Sequence, residues 1–148
     1  TENGMSEKIV KFCAEECGRQ KSGEMSVFHM WQAYQFAMEA QSVGEEPGLP
    51  PNVSLIIRLG RLVEPLINQN GPRKIPVIFA SGGHATNWQD ILPALVNLCH
   101  HGIPKDDPDE YYRSFEKIHP FQDGNGRVGA ILYNWHRLDA PMTPPKFW

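Results

Sequence analysis

The sequence predicts an all-α bundle with one small β-hairpin. Three observations carry that expectation. Apolar residues recur at helical spacing through most of the chain, cap signatures bracket those runs, and one short stretch alone is rich in β-branched residues. The first helix is expected from Met5 to Arg19, where Ile9, Val10, Cys13 and Cys17 fall near helical spacing and Gly18 can close the last turn. Ser26 is placed to cap a second helix reaching about Gln41, with Val27, Met30, Trp31, Tyr34, Phe36 and Met38 as its apolar positions. That stripe reads as core. Residues 42–51, rich in Gly, Pro and Glu, read as loop. Asn52 can cap a third helix through Ile56, Leu59, Leu62, Val63 and Leu66, with Pro65 kinking it near its end.

Asn70-Gly71-Pro72 breaks the chain, and RKIPVIFASGGHATNW follows at residues 73–88. Ile75, Val77, Ile78 and Phe79 favour extended structure, while Pro76 confines it to an edge or a short hairpin turned by Ser81-Gly82-Gly83. Thr86-Asn87-Trp88-Gln89 fits a capping box opening a helix of Ile91, Leu92, Leu95, Val96, Leu98 and Cys99, ended by Gly102 and Pro104. Asp107-Pro108-Asp109-Glu110 combines a capping Asp, Pro at the first helical position and acids in the first turn. The helix it starts carries Tyr111, Tyr112, Phe115 and Ile118 up to His119, and a last helix is expected from Arg127 to Leu138. With no internal repeat and no linker, one domain is expected over residues 1–148, with 1–4 as a non-native leader ahead of Met5 and 139–148 as a tail.

Composition narrows the function classes. A formal net charge of −3 argues against general nucleic-acid binding. No run approaches the roughly 20 apolar residues of a membrane span, and the order of basic and apolar residues expected of a secretion signal is missing at the start. A cytoplasmic location is the resulting expectation. Cys13, Cys17 and Cys99 form neither a CxxC nor a repeated pair, so buried reduced thiols are expected.

The stretch that carries chemistry is IHPFQDGNGRVGA, residues 118–130. Gly124 and Gly126 allow successive backbone N–H groups to converge, and such a nest before a helix N-terminus binds anions. Asn125 adds an amide, and Arg127 adds a planar fork suited to phosphate oxygens. Asp123 would repel an anion unless a divalent cation lay between them, and Mg²⁺ commonly bridges one carboxylate and substrate phosphates. His119 can accept a proton near neutral pH, while Ile118 and Phe121 can anchor the loop. These are the parts needed to activate a hydroxyl and transfer a phosphate-linked group to it. A calcium loop is excluded, because Arg127 and Asn134 stand at its fifth and twelfth positions; a Walker loop is excluded for want of Gly-Lys-Ser/Thr.

In this stretch the chain resembles the Fic family, whose signature runs His-x-Phe-x-Asp/Glu-Gly-Asn-Gly-Arg-x-x-Arg. His119, Phe121, Asp123, Gly124, Asn125, Gly126 and Arg127 match it in register. The likeness extends from about Arg73 to Leu138, with IPVIFASGGHATNW similar to the family's flap hairpin and its connection. The resemblance implies transfer of AMP from ATP to a Ser, Thr or Tyr hydroxyl of a target protein. It implies His119 as the general base, Asp123 as the Mg²⁺ holder, Gly124, Asn125 and Gly126 around the transferred phosphate, and Arg127 on the remaining phosphates. It also implies that the flap at Ile75, Val77, Ile78 and Phe79 clamps the target by strand addition.

One departure stands out: the signature's second Arg falls at Ala130. Either triphosphate binding is weakened, or the donor is not ATP, or a basic residue such as Arg113 or Arg137 takes its place. Ser42 and Glu46 have the spacing of the family's inhibitory motif, but Pro47 follows and the match reads as coincidence. Two other outcomes remain open. A Doc-like kinase toxin is disfavoured because such relatives usually carry Ala and Lys where this chain has Gly124 and Gly126. A degenerate Fic fold acting as a binding or regulatory module, such as half of a toxin–antitoxin pair with an inhibitory partner protein, is the reading from a different class.

Overall fold

The computed structural model describes residues 2–42, 51–102 and 107–136. Among these residues it is all-α, with six α-helices: α1 (Glu2–Arg19), α2 (Glu24–Ser42), α3 (Val53–Val63), α4 (Ile91–Asn97), α5 (Pro108–Ile118) and α6 (Asn125–Trp135). Glu46, Pro104, Arg137, the end of the expected last helix and the expected tail lie outside the described residues.

Helix α6 organises the rest. Every residue from Val128 to Asn134 is buried, and the helix packs against α1, α2, α3 and α5. A helix apolar on all sides belongs inside a bundle, and this one starts at the glycine-rich signature. Around it, Ile9, Phe12 and Cys13 of α1, Met30 and Tyr34 of α2, Ile56 and Leu59 of α3, and Tyr111 and Phe115 of α5 complete the core.

Two predicted caps form: Asn52 Oδ1 accepts the Leu55 N–H at 2.8 Å, and Asp107 Oδ1 accepts the Glu110 N–H at 3.0 Å. Others differ. Helix α2 begins at Glu24, so Ser26 lies within it. Helix α1 is closed beyond Gly18, where Lys21 takes a left-handed φ of 57° and the Ser22 N–H reaches Cys17 O. Helix α3 does not kink at Pro65 but stops at Val63, since the residue before a proline is pushed out of the helical region. The expected capping box at 86–89 is not made. Thr86 bonds Lys117 O instead, Asn87 makes no side-chain cap bond, and a 3-10 turn at Trp88–Asp90 leads into α4. A π-helical turn at Leu98–Gly102 follows α4.

The hairpin is smaller than expected. Among the described residues no strand is formed; a single antiparallel bridge joins Ile78 to His84. Phe79 N donates to Gly83 O at 2.7 Å and Ala85 N to Val77 O at 3.1 Å, so the chain does fold back on itself. Pro76 lacks the N–H that would continue the ladder. No helix among the described residues is long and apolar enough to cross a membrane.

Candidate active site

Helix α5 ends because His119 turns into the left-handed region, with φ 49° and ψ 62°. That backbone costs a residue with a Cβ roughly 1–2 kcal/mol. Arg73 stands behind it, 3% exposed, with its guanidinium donating to four carbonyls. Nε reaches His119 O at 2.6 Å, Nη1 reaches Ile75 O at 2.7 Å, and Nη2 reaches Thr86 O at 2.5 Å and Ile118 O at 3.1 Å. The His119 ring meets the Phe79 ring edge to face, with centroids 5.4 Å apart and planes at 85°. Its Nδ1 is buried and has no hydrogen-bond partner among the described residues. Burial, and then the Arg73 charge, pushes the imidazole below its ordinary pKa, so it is neutral at pH 7.

The turn after His119 is tied shut by Asn125, which is 4% exposed. Its Oδ1 accepts the Phe121 N–H at 2.9 Å and its Nδ2 donates to Phe121 O at 2.8 Å. This differs from the expected phosphate-facing amide: the side chain holds the loop instead. Phe121, fully buried, lies directly on Gly60 of α3, where an added Cβ would overlap its ring. Asn68 fixes the same turn from outside, donating to Gly60 O at 2.9 Å and to Asp123 O at 2.8 Å.

Asp123 keeps its side chain 54% exposed, with Oδ1 accepting the Gly124 N–H at 2.7 Å. Gly124 has φ 83° and begins α6, and no side chain caps the helix. The first-turn N–H groups of a helix have no partner within it, so the positive end of α6 opens at this glycine. Gln20 lies against Gly126, its Oε1 only 2.5 Å from where a Cβ would stand. Gln20, Ser22, His119, Gln122, Asp123 and the run from Gly124 to Arg127 line one cavity of about 170 Å³.

Arg127 is not turned freely into that cavity. It is 3% exposed, with Nη2 on Glu64 Oε1 at 2.7 Å, Nη1 on Val63 O at 3.3 Å, and Nη2 at 3.6 Å from Asp123 Oδ1. Glu64 is in place because α3 stops before Pro65. Ala130 is wholly buried, so an arginine there would have to be accommodated inside the core. Arg113 is exposed on α5 and is not among the cavity-lining residues.

Sequence reading thus brought His119, Asp123, Gly124, Asn125, Gly126 and Arg127 to one place, and the structure assembles them there. Of the flap residues, Phe79 touches His119, while Ile75 and Ile78 are exposed beside the site at 47% and 65%. Glu64, Asn68, Arg73, Gln20 and Ser22 were missed. Only Glu64 carried a local signal, an acid held at a helix end by the following proline. Among the described residues no three His, Cys, Asp or Glu side chains cluster to hold a metal. The one exposed carboxylate fits Mg²⁺ in the mode that takes one protein carboxylate and fills the rest of its shell with water and substrate phosphate oxygens.

Residues 86–136 match the model of the Fic/DOC family, which takes in α4 to α6 and the whole signature. Over those residues the chain is similar to the Fic/DOC family. No curated protein matches it.

Proposed function

We propose that this Fic-type domain transfers AMP from ATP to a serine, threonine or tyrosine hydroxyl of a target protein. One observation carries the reading: a neutral imidazole, an exposed carboxylate and the uncapped start of a glycine-led helix line the same small cavity. His119 accepts the proton of the target hydroxyl, whose oxygen then bonds to the α-phosphorus as the bond to pyrophosphate breaks. The α6 N-terminus, with the backbone of Gly124 and Gly126, receives the charge on the transferred phosphate. Asp123 is the residue that would hold Mg²⁺, which when bound supplies neutralisation of phosphate charge. The folded-back segment at Ile75, Val77, Ile78 and Phe79 borders His119 and suits a clamp on the target's backbone. Incubation of the protein with labelled ATP, Mg²⁺ and a cell lysate should label protein bands, and His119→Ala should abolish the labelling. Asp123→Ala should abolish its Mg²⁺-dependent part while leaving the melting temperature within a few degrees of the parent. Labelling that survives His119→Ala would reject the mechanism.

A second reading rests on Arg127 and Ala130. With Arg127 already ion-paired and Ala130 standing where the signature has its second arginine, the fold suits a binding or regulatory module that takes a nucleotide or a partner without turning it over. Nucleotide binding by calorimetry with no labelling from any nucleotide donor would favour it.

A further inference from the structure

We infer that Arg73 is the positioning residue for His119, fixing the left-handed backbone from which the imidazole enters the cavity and tying the flap to the same point. The inference builds on the transferase reading but begins from contacts that need no substrate. Arg73 is buried and faces only carbonyls: Ile118 and His119 at the end of α5, and Ile75 and Thr86 on the two stems of the folded-back segment. A helix ends with unpaired carbonyls and the negative pole of its dipole. A buried cation answers both, and the planar fork reaches carbonyls on three chain segments at once, which an ammonium point charge does not do.

Further bonds tighten the same junction. Arg73 N donates to Pro120 O at 2.9 Å, Thr86 N donates to Lys117 O at 3.1 Å, and Lys117 Nζ donates to His84 O at 2.8 Å. These bonds tie the flap stems to the first two signature residues, His119 and Pro120. Phe79, at the turn of the flap, is then held with its ring on the imidazole. Among the described residues, Asp123 and Arg127 line the same cavity as His119, and Lys117 lies two positions before it at the end of α5. Arg73 acts through His119 and its neighbours and touches no reacting atom.

Two variants test this, Arg73→Gln and Arg73→Lys, each first checked for cooperative thermal unfolding. The His119 imidazole is followed by NMR pH titration, its signal identified by its loss in His119→Ala. Removing the cation should raise the His119 midpoint in Arg73→Gln, because burial alone then depresses it, and Arg73→Lys should stay nearer the parent. In transfer assays both variants should lose about 10- to 100-fold in kcat, the size of effect that follows a small misplacement of a reacting group, with the KM for nucleotide nearly unchanged. An unmoved His119 midpoint in folded Arg73→Gln would overturn the inference, as would parental kcat. Failure of both variants to fold would also overturn it, by making Arg73 a purely structural residue. If the parent protein transfers nothing, the titration still decides the positioning role, while the transferase reading falls separately.

Discussion

At Arg127 a signature residue already has a partner. Its guanidinium lies 2.7 Å from Glu64 and is almost wholly out of solvent, so any phosphate reaching it competes with a carboxylate already in place. Glu64→Gln keeps a hydrogen-bond acceptor but removes that negative charge. Two effects follow, in opposite directions. The free protein should lose about 1.5–3 kcal/mol, the usual worth of a hydrogen bond to a charged group. Its stabilisation by pyrophosphate should increase, because the arginine's charge is no longer answered from within. Thermal melts with and without pyrophosphate read both; a pyrophosphate shift no larger than the parent's would mean that Glu64 does not compete for the site.

Two helix contacts set the shape of the site. Phe121 anchors the signature loop on Gly60 of α3, where no side chain would fit. Gly60→Ala should therefore cost about 1–3 kcal/mol through overpacking, seen as a lower denaturation midpoint. A melting temperature equal to the parent's would show that the loop can shift without strain. On the other side, Gly129 of α6 brings Tyr112 and Glu116 of α5 close, and burial pushes the Glu116 carboxyl up to about 7 despite its bond to Tyr112. A carboxyl raised in the folded state stabilises while it stays protonated. Its contribution is whole below the ordinary 4.5 and is lost as pH climbs to about 7. His136 pulls the other way: burial lowers it from 6.5 to about 4, so its contribution is present above 6.5 and fades as pH falls. Comparing Glu116→Gln with the parent cancels the histidine. The variant should gain stability relative to the parent between pH 4.5 and pH 8, read by urea denaturation at both. An equal difference at the two pH values would mean that the carboxyl is not held against its charge.

Across the molecule, what could be read from sequence was local. Helix periodicity, the Asn52 and Asp107 caps and the signature loop each depend on residues within a few positions of one another. What escaped reading came from distant segments. Arg73 and Glu64 lie 46 and 63 positions from their site partners. No spacing rule links such residues, because their meeting is a product of packing. The hairpin shrank for a related reason, since apolar β-branched residues favour strand locally, but Pro76 and the Arg73 bonds take the groups a longer ladder would use. The residue just beyond α1 bears on how ligand affinity at the cavity should be read. Gln20 leans on Gly126 at the mouth of the final helix. An oxyanion seated where that amide oxygen lies would first have to swing it aside, so its observed affinity would be the intrinsic value diminished by the work of eviction. Shortening position 20 would then tighten binding without adding a single new contact.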